Sequence, residues 1–403
     1  MGEDVGRPVL LVAKGTFGSM GGGERDLIRV LPALNRLFDV RMATIHSAPE
    51  LEDVCSSEGI PLIRPESLWE LATDPLSTVL DTGRGTASKA WASCAGLEEA
   101  MVQADALHLV SGDGSLPLLD HVPGDLRVHL HLLEPHRGLY EDTLHKLVDG
   151  SSKRNIALTG ALLSRARRRD QSLMRSLVDR EGSLVNSNSN FSAQRAREVY
   201  GIDAGVLWPC VDTAEFPSDP SGDPENPYIG GEGDYVVSVG RASWAKGSWE
   251  AISMLRGTGL SLAHVGGGDD SSIGMMRSHA KSSGVGLWVA HRLSSPELVS
   301  LMRSARAIVS MAHSESFGLT PIEAFAVGTP AIFVDDGGFR DTIVDGVNGR
   351  LLPRDDVSAW HAALEQAGDE GTRKRWGEAG RARIEELDLS PDAHARRLWD
   401  FLH

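Results

Sequence analysis

The stretch His313-Ser314-Glu315-Ser316-Phe317-Gly318-Leu319-Thr320-Pro321-Ile322-Glu323 sets two carboxylates, Glu315 and Glu323, around a glycine turn. Thr320-Pro321-Ile322-Glu323 reads as the start of a helix, with Thr320 as cap, Pro321 at the first helical position and Glu323 three residues after the cap. Gly328 and Pro330 then stop the helix after about two turns. On that reading the free amides of Phe317, Gly318 and Leu319 point outward at the positive end of a helix dipole, where a phosphate is stabilised. Glu315, before the turn, and Glu323, one turn into the helix, flank this anion site without filling it. An anion cradle bracketed by hydroxyl acceptors suits a sugar nucleotide. The plainer reading makes Glu323 part of a capping box and Glu315 a solvated loop charge.

The elements that must position these groups are legible along the whole chain. Short apolar runs at 9–13, 106–110, 128–133, 206–208, 235–239, 260–265, 307–312 and 331–334 suit strands buried on both faces of a parallel sheet. Amphipathic stretches lie between them, such as 24–38 with Leu27, Leu31, Leu34, Leu37 and Phe38 on one side. The βαβα alternation predicts an α/β protein with doubly wound sheets. A segment rich in proline, glycine and acid, 212–234, reads as a linker. It separates an N-terminal domain, 1–212, from a C-terminal domain, 213–389. A last helix at about 390–403 carries Ser390 and Pro391 as cap and first position. Ligands of such sheets bind beyond the carboxyl ends of the strands.

The remaining motifs fall at strand ends. Gly240-Arg241-Ala242-Ser243-Trp244-Ala245-Lys246-Gly247 follows the first strand of the second domain and offers a planar guanidinium and a point charge. Val265-Gly266-Gly267-Gly268-Asp269 is a glycine turn after the next strand. Lys14-Gly15-Thr16-Phe17-Gly18-Ser19-Met20-Gly21-Gly22-Gly23-Glu24-Arg25 joins the first strand to the first helix. Its spacing is not G-x-G-x-x-G, and no acid ends the second strand to hold a ribose, which argues against a dinucleotide-binding domain.

Together these segments resemble the retaining GT-B glycosyltransferases of family four. Glu315 and Glu323 match the E-x7-E motif, and Arg241 and Lys246 match its G-R-x(4)-K-G element. The resemblance implies two Rossmann-like doubly wound domains facing across a cleft, with the last helix crossing back onto the first. It implies that Glu315 contacts donor-sugar hydroxyls and Glu323 the nucleotide ribose. Arg241 and Lys246, with the amides of the Ser316–Leu319 turn (Ser316, Phe317, Gly318, Leu319), neutralise the donor diphosphate. Gly22, Gly240, Gly267 and Arg292 are expected near the donor, and Gly21, Gly23, His136 and Arg137 on the acceptor side. In Val128-His129-Leu130-His131-Leu132-Leu133-Glu134-Pro135-His136-Arg137, His131 is favoured to face the reacting sugar, with His136 second. Alternation puts His129 and His131 on one face of a strand, so one of them is equally a packed core histidine. Asn186-Ser187-Asn188-Ser189-Asn190-Phe191 resembles the family's N-S-x-F element, and Gly337-Gly338-Phe339-Arg340-Asp341 its G-G-x-x-E loop with Asp341 in place of glutamate.

The implied activity is transfer of a sugar from a UDP-, GDP- or ADP-sugar to a small-molecule, glycan or lipid hydroxyl, with retention, no metal and no permanently bound cofactor. Rival readings are a glycoside hydrolase using the two glutamates, a GT-B epimerase or phosphorylase, and a non-catalytic sugar-nucleotide binder.

Composition sets the outer bounds. The 403 residues are long for one core and predict two domains of roughly 200 residues each. A net charge of −16 argues against a nucleic-acid partner. Cys55, Cys94 and Cys210 are odd in number and far apart, so they indicate neither a disulfide framework nor a zinc site. No apolar run approaches the ~18 residues of a membrane span and no signal peptide is visible, so a cytoplasmic location is expected. One basic stretch breaks the acidic background: Lys153, Arg154, Arg165, Arg167, Arg168, Arg169, Arg175 and Arg180. It reads as a peripheral contact with the inner membrane face, as in several relatives, as a solvated helix face, or as a site for a phosphorylated acceptor.

Overall fold

The computed structural model describes residues 6–18, 20–70, 82–153, 155–217, 219–229 and 234–403. Ser19 of the glycine loop, Arg154 of the basic stretch and residues 218 and 230–233 of the linker lie outside these. The chain divides into two units: 1–140, 157–211 and 389–403 form the first, and 141–156 with 212–388 form the second.

The first unit is built on a seven-stranded sheet with the order β3-β2-β1-β4-β5-β6-β7. Its strands are β1 Val9–Ala13, β2 Asp39–Ala43, β3 Leu62–Ile63, β4 Ala106–Val110, β5 Arg127–Leu132, β6 Leu184–Ser187 and β7 Gly205–Val206. Every pairing is parallel, and β1 lies between β2 and β4. Alternation along β1 explains its continuous apolar run. Leu10 and Val12 join a cluster with Leu27, Leu31 and Leu34 of the helix Gly22–Leu37. Leu11 and Ala13 join the opposite cluster with Trp91, Leu109 and Leu130. Both faces are covered, as a parallel sheet requires.

The terminal helix, Pro391–Leu402, belongs to this unit and packs against Gly22–Leu37. Ser390 caps it by accepting from the Ala393 amide at 3.1 Å, with Pro391 in first position. Its far end is held by Arg127, whose guanidinium donates to the Phe401 carbonyl at 3.1 Å and to that of Leu402. This satisfies carbonyls that a helix C-terminus leaves without partners.

The second unit has a six-stranded parallel sheet with the order β10-β9-β8-β11-β12-β13. The strands are β8 Tyr235–Val239, β9 Ser261–Val265, β10 Leu287–Ala290, β11 Ala307–Ser310, β12 Ala331–Val334 and β13 Gly349–Leu352. From β8 the chain winds outward through β9 and β10, then returns to β11 beside β8. That reversal of direction is where ligands of open α/β sheets bind.

One boundary differs from the sequence expectation. The sequence reading drew 1–212 as one continuous domain, yet 141–156 groups with the second unit. Two contacts account for this. The Lys146 ammonium lies 5.3 Å over the Trp244 ring, and Gly150 packs so closely on that ring that a methyl there would come within 2.7 Å. The linker is also more than a tether. Asp223 pairs with Arg303 at 2.7 Å, and the Pro224 carbonyl accepts from Ser300 at 2.9 Å, which fastens it to the helix Ser295–Arg303.

Among the described residues no helix is long and apolar enough to cross a membrane. Part of the basic stretch is committed to the fold. Arg180 donates to the carbonyls of Val122 and Leu126 at 3.2 and 3.3 Å, and Arg167 to that of Leu139. Arg165, Arg168 and Arg175 remain exposed on the helix Ser164–Val178.

Candidate active site

All strands of the second sheet run the same way, so the loops that follow them gather at one edge. Gly240–Gly247 follows β8, Gly266–Asp269 follows β9, His291 and Arg292 follow β10, His313–Leu319 follows β11 and Asp335–Gly338 follows β12. Three glycines allow these loops to interlock. Gly266 sits at φ +128° with a methyl position 2.6 Å from the Gly240 carbonyl oxygen. Gly247, at φ +65°, would place a methyl 2.0 Å from the Met311 carbonyl oxygen. Gly337, at φ +63°, would place one 2.5 Å from the Glu315 carbonyl oxygen. No side chain larger than hydrogen fits at such distances, and the positive φ values disfavour one independently.

Across this interlock the Lys246 ammonium reaches Glu315 Oε2 at 2.6 Å. The two groups stand 69 residues apart in sequence and retain 36% and 19% side-chain exposure, so both reach solvent. The Lys246 stem runs over Gly240, whose missing methyl leaves it room. Arg241 is exposed and has no ion-pair partner among the described residues. Two cations and a carboxylate therefore meet solvent on the strand-end loops.

Behind them stands a polar brace that the sequence reading did not single out. Glu250 accepts from His313 Nε2 at 2.7 Å and from Arg354 at 3.2 and 3.3 Å. Arg354 also pairs with Asp336 at 3.0 Å and donates to the carbonyls of Met311 and Ala312. The Trp244 ring stacks on His313 at 5.0 Å. Arg354 thus ties the loops after β11, β12 and β13 to the helix Ser248–Met254. The signal in sequence was slight, since an arginine two residues past a strand resembles any surface arginine.

The helix after the turn departs from the expected cap. It runs Thr320–Val327 with Leu319, not Thr320, at the capping position and no side-chain cap. Pro321 falls in the first turn, and Gly328 ends the helix at φ +75°. The shift moves the open donors along by one residue. Among the described residues, the amides of Gly318, Leu319 and Thr320 have no hydrogen-bond partner, and the Phe317 side chain is buried. Gly318, at φ +81°, turns the chain here over the Phe339 ring. Glu323 and Ser316 are half-buried beside the turn. Gly267 packs against His291, and Arg292 is exposed. Asp341 lies in the short helix Phe339–Thr342, where Arg383 donates to its carbonyl at 2.8 Å.

The first unit distributes its expected residues differently. Gly21 caps the helix Gly22–Leu37, its amide donating to Glu24 at 2.9 Å. Gly21 and Gly22 are exposed, while Gly23 packs on Leu133. Lys14, only 1% exposed, pairs with Glu24 at 3.1 Å and donates to the Ser111 carbonyl at 3.0 Å. His136 is exposed, and Arg137 lies 3.9 Å from Glu134. His131 does not reach a surface. It is 1% exposed, its Nε2 bonds the Leu207 carbonyl at 3.1 Å, and burial drives its pKa well below the ordinary range. The alternating pattern of β5 turns both His129 and His131 inward, which corrects the placement of His131 at a sugar face.

Comparison with known proteins bears on the second unit most directly. Residues 223–383 match the family model described as glycosyl transferases group 1. A D-inositol 3-phosphate glycosyltransferase of Frankia alni is 30% identical over 212 residues, 48% of this chain and 49% of that protein. A glycogen synthase of Mycobacterium tuberculosis is 32% identical over 157 residues, 37% of each chain. The matched stretch thus spans about half, or less, of these curated relatives. Among solved structures, the sucrose-phosphate synthase of Thermosynechococcus elongatus aligns with a TM-score of 0.70 at 17% identity, covering 98% of both chains. The Anabaena protein HepE, solved with UDP and glucose, aligns at 0.67 and 13% identity, covering 98% of this chain and 99% of that one. At such identity these two establish the fold alone. Residues 223–383 thus resemble the glycosyl transferases of group 1, and the two Rossmann-like units are those of the GT-B fold.

Proposed function

We propose that this protein is a retaining glycosyltransferase that takes a sugar from a nucleoside-diphosphate sugar and passes it to a hydroxyl acceptor. The observation that carries the reading is the 2.6 Å contact between Lys246 and Glu315 on the strand-end loops. A cation and an acid held together at a solvent-reaching edge are a charge pair that a diphosphate and a sugar can separate. Lys246 and Arg241 then take the phosphates, helped by the open amides of Gly318, Leu319 and Thr320. Glu315, released, accepts from donor-sugar hydroxyls, and Glu323 accepts from the ribose.

The chemistry follows from charge. As the bond from the anomeric carbon to the diphosphate oxygen breaks, negative charge grows on the diphosphate. Donors already fixed around it stabilise that state more than the ground state. The acceptor hydroxyl attacks from the same face, its oxygen bonds the anomeric carbon, and its proton passes to the departing diphosphate oxygen. Configuration is retained, and no separate base is required. Two side-chain cations at the phosphates supply the role a divalent ion has elsewhere. Recognition of the acceptor falls to the first unit, through Gly21 to Gly23, His136 and Arg137; His131 receives no part in it. The resemblance of the motifs and the family of the second unit support this reading.

The test is incubation with UDP-, GDP- and ADP-sugars and candidate acceptors, with the product followed by NMR. A new glycosidic bond with the donor's anomeric configuration supports it. An inverted bond, or an epimerised or phosphorolysed sugar, refutes it.

A further inference from the structure

Four histidines meet in the interior of the first unit, away from the loops discussed above. His108 comes from β4, His129 and His131 from β5, and His394 from the terminal helix; none exceeds 2% exposure. Ring centroids are 5.0 Å apart for His108 and His129, 6.1 Å for His108 and His131, and 5.7 Å for His131 and His394.

The surrounding hydrogen bonds fix the proton on each ring. His394 Nδ1 meets the Trp208 carbonyl at 2.7 Å, so this nitrogen carries the hydrogen and Nε2 keeps its lone pair. His131 Nε2 meets the Leu207 carbonyl at 3.1 Å, which leaves the lone pair on Nδ1. His129 Nε2 donates to Asn186 Oδ1 at 3.0 Å, so its Nδ1 is an acceptor. His108 Nδ1, 2.9 Å away, must donate to it, and His108 Nε2 is left as a lone pair. The Nε2 atoms of His108 and His394 are buried with no hydrogen-bond partner among the described residues. One ring nitrogen from each of His108, His131 and His394 lies within 4.8 Å of the other two.

We propose that His108, His131 and His394 bind one divalent transition-metal ion of the zinc class, a structural site that fastens the terminal helix to the sheet. Two features support it beyond proximity. Each ligand ring is anchored through its other nitrogen to a carbonyl or a further histidine, the outer-shell arrangement that orients metal-binding imidazoles. The Nε2 atoms of His108 and His394 are enclosed without a hydrogen-bond partner among the described residues, and a buried polar atom left so is costly unless a ligand takes its lone pair. Zinc–nitrogen bonds of about 2.1 Å place tetrahedral ligands about 3.4 Å apart, so the three nitrogens, within 4.8 Å of one another, draw together on binding. The ligands lie on three separate elements far apart in sequence, so no spacing motif announces them.

The experiment uses the full chain purified without a histidine tag. Metal content is measured by plasma mass spectrometry, and Zn2+ is titrated against a chromophoric chelator. One ion per chain is expected, with affinity falling about 100-fold or more in His108→Gln and in His394→Gln. The control His279→Gln, at a half-buried ring stacked on Trp249, retains it. Chelation lowers the melting temperature of the wild type and leaves both ligand variants unmoved. Should those variants fail to fold, Co2+ loaded into the wild type decides the matter through the visible bands of an ion bound by three imidazoles. Absence of a stoichiometric ion, retention in both ligand variants, or featureless Co2+ spectra each overturn the proposal.

Discussion

Replacing Lys246 by alanine separates the two roles a charged residue can have. Its ammonium is 2.6 Å from Glu315 Oε2, but with 36% and 19% exposure the pair is largely screened by solvent. Exposed pairs of this kind contribute about 0–1 kcal/mol to folding, so Lys246→Ala should lower the melting temperature by no more than about 4 °C. Its effect on the reaction is of another size. Losing one fixed donor to a charge that develops in the transition state costs about 2.7–4 kcal/mol, or a 100- to 1000-fold fall in kcat. The assay is release of nucleoside diphosphate from saturating donor without acceptor, where transfer to water reports bond breaking alone. Thermal melts run alongside on the same preparations. Glu315→Gln completes a cycle: Lys246 and Glu315 are expected to act on one transition state, so the double variant loses less than the product of the single losses. Lys246→Arg, with its charge spread over a planar fork, recovers only part of the rate. Near-wild-type turnover in Lys246→Ala, or a loss that merely follows unfolding, refutes the reasoning.

Three further outcomes follow from the second unit. Gly337→Ala forces a methyl to within 2.5 Å of the Glu315 carbonyl oxygen at φ +63°, whereas Gly346→Ala meets open space at φ +76°. Both pay about 1–2 kcal/mol for the left-handed backbone, but only Gly337→Ala should cost more in denaturant melts and abolish turnover; equal effects would show the loop tolerates displacement. Arg354→Ala leaves Glu250 and Asp336 without their shared cation, so urea unfolding should show a loss of about 2 kcal/mol that Arg354→Lys does not restore. His264, on β9, is buried, which lowers its pKa to about 4, and its Nδ1 bonds Ser238 at 2.9 Å. Because the unfolded chain takes up that proton first, stability is intact above pH about 6.5 and falls as pH drops towards 4. The loss reaches about 2.5 kcal/mol by pH 4.5, and His264→Asn should flatten the profile by that amount in pH-dependent melts; an unchanged slope contradicts it.

The sheets were the most legible part of the chain, because a strand buried on both faces is a continuous apolar run, as at 9–13, 235–239 and 331–334. Ends were less legible. Apolar residues continue past β7 and β11 into the following loops, so the runs 206–208 and 307–312 overshoot strands that end at Val206 and Ser310. Glu315 and Lys246 could be read because motif spacing and strand position coincide. Thr320 as a cap was misplaced by one residue, since Leu319 already has helical backbone angles and no side chain is needed there. Arg354 and Glu250 escaped notice because their partners come from four separate segments. His131 was assigned to a surface because residue type speaks of chemistry, while only the sheet decides which way β5 turns its even and odd positions.

The account rests on a nucleoside diphosphate seated at the strand-end loops of the second unit. Calorimetric titration of UDP, GDP and ADP into the wild type and Lys246→Ala tests this most directly. One of the three should bind at a single site per chain, with affinity at least about 10-fold weaker in the variant, the scale of one charged hydrogen bond. Failure of all three to bind, or equal affinity in the variant, contradicts it.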